Sequence, residues 1–64
     1  MTSFKKIIDS YKSRKFNETV IDGKSFIKRE KINNSQLIEI YNIIGSSYVN
    51  LKDYNLAIKE FRKA

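Results

Sequence analysis

The sequence has no cysteine, no histidine, no tryptophan and no proline, and only two glycines in 64 residues. Without cysteine there is no disulfide and no thiolate. Without histidine the commonest zinc ligand and the commonest general base are both missing. The seven acidic residues are scattered along the chain, and no glycine-rich phosphate loop is present. Asp9 and Asp22 have no clustered oxygen partners and no EF-hand spacing around them. These absences predict a chain that is not an enzyme and carries neither metal nor cofactor. No apolar run of roughly 7–15 residues follows the opening Met-Thr-Ser-Phe-Lys-Lys, so no secretory signal is visible. Nothing approaches the roughly 18 apolar residues of a membrane span. Cytoplasmic residence is the default expectation.

The residues present favour helices. Charged residues make up 31% and hydrophobic ones 41%, a balance that suits a globular helical domain better than disorder. The length allows a single domain, spanning residues 1–64. Below roughly 70–80 residues a core rarely supplies more than about 3–5 kcal/mol. Stability must therefore come from packing alone or from association. Thirteen Lys and Arg face seven Asp and Glu, for a net charge of +6. Residues 1–31 hold nine bases and four acids, residues 32–64 four and three. The basic first half raises one reading of function, a small module that binds nucleic acid or another anionic surface.

Four helical segments can be read. Phe4, Ile7, Ile8 and Tyr11 fall at i, i+3, i+4 and i+7, with Thr2 or Ser3 as N-cap. After the polar break at 12–15, a second and less regular segment starts near Asn17 and carries Val20, Ile21, Phe26 and Ile27 around Gly23. Asn34 or Ser35 can cap a third, with Leu37, Ile38, Tyr41, Ile44, Gly45 and Tyr48 at helical spacing. Asp53 opens a fourth, with Tyr54, Ala57, Ile58 and Phe61. Connections this short make sequential helices antiparallel neighbours. The expected fold is all-α: two αα-hairpins in series.

Gly45 interrupts the third helix at a cost of about 1 kcal/mol relative to alanine. The spacing Tyr41-x2-Ile44-Gly45-x2-Tyr48, then Ala57-x3-Phe61, puts one small residue on each arm of a hairpin. Close approach of Gly45 to Ala57 would offset that cost. Over residues 38–64 this pattern resembles the tetratricopeptide repeat (TPR), a 34-residue helix–turn–helix unit with the signature W-x2-L-G-x2-Y…A-x3-F. Tyr41 stands for the Trp and Ile44 for the Leu; Gly45, Tyr48, Ala57 and Phe61 match. Asp53-Tyr54 resembles the family's second-helix start, and Ala64 its later small position. Residues 1–31 match less well. Ile8 replaces the small residue, the turn reads one residue shorter, and pairing Thr19 with Ala57 gives an offset of 38 that sets Gly23 against Phe61. This half reads as a divergent first hairpin or as an unrelated capping hairpin, and 34–64 as a second hairpin, incomplete at its end.

The resemblance implies a fragment of a right-handed α-solenoid that binds another protein or peptide. It implies a concave groove lined by Lys5, Asp9 and Lys12 and by Asn42, Ser46, Val49 and Asn50, with Lys5 and Lys12 favouring an acidic ligand. A clamp for a C-terminal carboxylate, known in part of the family, is not expected. Asp9 and Ile43 stand where its asparagines belong. Repeat arrays bury each hairpin against the next. The outer side of the fourth helix, with Tyr54, Ile58 and Phe61, should therefore be exposed, and self-association through it, most simply as a two-fold homodimer, is the expected assembly. A place at the start of a longer repeat array is the favoured reading of this open end, and self-association is the expectation for the 64-residue chain by itself.

Overall fold

The breaks read from the sequence separate four helices: α1 (Phe4–Lys12), α2 (Phe16–Arg29), α3 (Asn34–Asn50) and α4 (Tyr54–Lys63). The structure is a computed structural model that describes residues 3–64, and there is no strand among the described residues. Ser3 caps α1, its hydroxyl accepting from the Lys6 N–H at 3.2 Å; Thr2 lies outside the described residues. Asn33, rather than Asn34 or Ser35, caps α3, its side-chain oxygen accepting from the Gln36 N–H at 2.8 Å. The helix α2 begins at Phe16 with Lys15 as N-cap, not at Asn17.

Lys15 and Asp53 make no side-chain capping bond, and the turns before them give the reason. After α1, the Lys15 N–H donates to the Ser10 carbonyl at 2.9 Å and the Arg14 N–H to the Tyr11 carbonyl at 3.0 Å. After α3, the Asp53 N–H donates to the Tyr48 carbonyl at 2.8 Å and the Lys52 N–H to the Val49 carbonyl at 3.0 Å. Both are Schellman motifs, with Arg14 (φ 62°) and Lys52 (φ 64°) in the left-handed position. The residue that closes each motif is also the N-cap of the next helix, so the turn itself fixes the helix start. Every one of these bonds repeats at a spacing of 38 residues. The first turn is therefore as long as the second, and the equivalent of Tyr48 is Ser10, not Tyr11.

Each helix packs on the next in sequence, and α1 also touches α3. The Cα extents are 28 × 24 × 15 Å. The shortest of these matches two helix layers, since axes about 8–10 Å apart plus one backbone cylinder give about 14 Å. The core comprises Ile7, Val20, Phe26, Ile40, Ile44, Tyr48 and Ala57, with Phe4, Ile27, Ile32, Ile43 and Leu56 against it. Phe4 and Phe26 pack with tilted rings, 6.3 Å between centroids. Two buried hydroxyls are satisfied within their own helices: Thr19 donates to the Lys15 carbonyl at 2.7 Å and Ser47 to the Ile43 carbonyl at 2.9 Å.

The glycines hold the helices close. A Cβ on Gly23 would lie 3.0 Å from Ile44 side-chain atoms and 3.5 Å from Ile40, so this glycine lets α2 approach α3. A Cβ on Gly45 would lie 2.6–2.9 Å from three ring carbons of Phe61. Ala57 is buried, but it is the Phe61 ring that fills the space the glycine leaves open.

Candidate functional site

The fourth helix has one buried side and one open one. Ala57 and Glu60 are buried. Tyr54, Ile58 and Phe61, spaced i, i+4 and i+7, are 56%, 49% and 40% exposed. Val49 and Leu51, at the end of α3, are 41% and 39% exposed and precede the same helix. The cations around this stripe are Lys52, Lys59 and Arg62, all exposed, with Arg62 continuing the Tyr54–Ile58 row at i+4. Asp53 is the exposed acid beside it.

The 38-residue spacing of the turns sets Tyr54, Ile58 and Phe61 in register with Phe16, Val20 and Gly23 on α2. Val20 and Gly23 are buried, and Gly23 lies against Ile40 and Ile44 of α3. On α2 the Gly23 end of this face is thus covered by α3, and Phe16, half-buried, packs edge-on to Tyr11 of α1, while the counterpart face on α4 is exposed throughout. The same register sets Ile44 against Lys6, which is exposed. The face that α3 turns onto α2 is apolar, and the matching face of α1 is cationic there.

A second surface lies between α1 and α3. A cleft of about 270 Å³ is lined by Tyr11 of α1 and by Ser35, Ile38, Glu39, Asn42, Ile43 and Ser46 of α3, so its one charged lining residue is an acid. Of the groove residues expected from sequence, it brings in Asn42 and Ser46. Lys5, Asp9, Lys12, Val49 and Asn50 are exposed and do not line it. The turn register explains the difference on α1: the counterparts of Asn42, Ser46 and Val49 are Phe4, Ile8 and Tyr11, each one position before Lys5, Asp9 and Lys12. The Asn50 amide already donates to the Ser46 carbonyl at 2.9 Å.

A second cleft, of about 290 Å³, joins α2, α3 and α4 around a buried carboxylate. Glu60 is 4% exposed, with Lys63 Nζ 3.0 Å from Oε2 and Lys24 Nζ 4.0 Å from Oε1. Oε2 accepts no hydrogen bond of good geometry, and the Lys63 ammonium is its close partner. Burial of a carboxylate needs such compensation. Lys24 also lies 5.4 Å from the centre of the Tyr48 ring, and its contact with Tyr48, helped by Glu60, holds its ammonium above the ordinary pKa of 10.5 against the opposing effect of burial. Lys63 sits 5.8 Å over Tyr41. The cluster ties α4 to α2 and α3.

Sequence reasoning missed Ile40, which is fully buried, and placed Ile38, which is exposed, on the packed face. Among the described residues, no group of acidic side chains is placed to hold a metal ion. No helix among the described residues is long and apolar enough to cross a membrane. No family model, curated protein or solved structure matches this chain.

Proposed function

We propose that this protein is a protein-interaction module of tetratricopeptide type: two antiparallel αα-hairpins stacked as a short right-handed solenoid that binds another protein through a helix face. The observation that carries the reading is the α4 stripe of Tyr54, Ile58 and Phe61, exposed at positions whose α2 counterparts include the buried Val20 and a Gly23 covered by α3. The repeated Schellman turn supports the register. The spacing of 38 exceeds the family's 34 by four residues, about one helical turn, which α3 absorbs with its 17 residues. A whole added turn leaves the packed face pointing nearly the same way.

The nucleic-acid reading fits less well. The cations of the first half are exposed, but the rings among them are occupied: Tyr11 packs edge-on to Phe16 at 5.9 Å and Phe4 lies tilted against Phe26 at 6.3 Å, whereas the exposed rings, Tyr54 and Phe61, lie on α4, away from that basic half of the sequence. Base stacking needs free ring faces. A gel shift with random-sequence RNA or DNA, at micromolar protein and about 50 mM salt, should show no complex.

The module reading is tested by appending one consensus tetratricopeptide repeat after Ala64. If α4 presents a repeat interface, the fusion should unfold in a single transition at a higher temperature than the parent, because neighbouring repeats stabilise each other. Two separate transitions, with the parent's unchanged, would overturn the reading.

A further inference from the structure

We infer that the α4 end is a docking site for an acidic amphipathic helix of a partner protein. The inference rests on the module reading and adds the chemistry of the occupant. The template lies within the fold. On α2, the face in register with the stripe is closed by α3, which sets Ile40 and Ile44, spaced i and i+4, onto the surface that Gly23 opens. The occupant of the α4 face therefore presents apolar side chains at i and i+4 to Tyr54, Ile58 and Phe61.

Charge selects among helices with that pattern. Lys52, Lys59 and Arg62 stand exposed around the stripe against one exposed acid, Asp53; Glu60 is buried with Lys63 and Lys24. A two-fold copy would bring each cation set onto its twin. A head-to-tail copy would lay the exposed Lys6, at the position matching Ile44, onto the apolar stripe. Both arrangements set cations where acids or apolar groups are needed. A helix with Asp or Glu flanking its apolar row meets the cations with opposite charge, which speeds association and excludes basic partners.

The test uses the full chain and three stapled helical peptides derived from residues 34–50, with outward positions left unchanged, changed to Glu, or changed to Lys. Binding is followed by amide chemical shifts. The Glu peptide should bind at least about tenfold more tightly than the Lys peptide at about 50 mM salt, and the gap should shrink at about 500 mM. Shifts should concentrate at Val49, Leu51, Tyr54, Ile58 and Phe61. Ile58→Glu should abolish binding; Arg62→Glu should reverse the preference; Ile21→Glu, at an exposed α2 position, should change nothing. Equal binding of the Glu and Lys peptides, or shifts centred on α1, would overturn the inference. So would a sedimentation mass of two chains that Ile58→Glu reduces to one, which would make the occupant a second copy. If the consensus-repeat fusion is stabilised while the Glu peptide does not bind, the module reading stands and only the proposed occupant is wrong.

Discussion

Gly45 has its reason in a single neighbour. Its missing Cβ leaves room for the Phe61 ring, so the two positions should be strongly coupled. Gly45→Ala alone gains about 1 kcal/mol of helix propensity but displaces the ring, and its net effect should be destabilising. In a Phe61→Ala background the same change should stabilise by about 1 kcal/mol. Chemical denaturation of the four proteins of this cycle measures the difference, and additive effects would refute the contact. Lys24 offers a test by pH. Its pKa is raised in the fold, so the stability it contributes is present below about 10.5 and is lost as pH rises through the raised value. Lys24→Met should flatten that alkaline loss, read as the change in urea midpoint between neutral pH and pH values above that of free lysine. These contacts could be read only partly from sequence. The pattern marked Gly45 and Phe61 as belonging together, but it assigned the small residue's partner to Ala57, because spacing along a helix does not say which way a ring folds back. The link between Lys24 and Glu60 joins helices that the sequence gives no reason to pair.

The turns are where the elements are set. Arg14 and Lys52 hold left-handed backbone that glycine adopts without steric cost. Arg14→Gly and Lys52→Gly should each stabilise by about 0.5–1 kcal/mol, since both occupy the Schellman position where glycine is commonest. For a domain of this size that corresponds to a rise of roughly 2–8 °C in melting temperature, measurable by circular dichroism. Asn33→Ala removes the capping bond to Gln36 and should cost about 1 kcal/mol. Helix number and order were legible because the breaks are mostly polar and three of the four apolar runs have clear helical period, the segment around Gly23 being the exception. The turn register was not, because Tyr11 and Tyr48 look like counterparts while the hydrogen bonds pair Tyr48 with Ser10. An aromatic ring is a conspicuous letter, but backbone geometry sets equivalence. Ile40 escaped notice for a related reason. The helix α3 packs on α1, α2 and α4, so its apolar residues surround more of the helix than one stripe.

At the scale of the whole molecule, the helices are unequally held. The central α3 touches all three others, whereas α4 packs closely on α3 alone. Native-state hydrogen exchange should therefore be slowest in the middle of α3, at Ile40 to Tyr48, and fastest at the ends of α1 and α4. Equal protection across the four helices would contradict this ordering. The two candidate surfaces were unequally legible as well. The exposed side of α4 followed from its amphipathic pattern. The α1–α3 cleft depended on register, and the one-position error on α1 moved the expected lysines off it while Tyr11 took their place.

Phe61 does two things at once: its ring fills the notch at Gly45, and 40% of its surface faces outward. A docked helix would press on the same ring that wedges α3 and α4 together. Occupancy and the tightness of that crossing are then one equilibrium. A ring swung outward would leave the notch empty, so a partner that binds only the seated ring would have its apparent affinity scaled by the seated fraction. A partner that selects the seated ring should slow amide exchange along α4 well beyond the residues it touches.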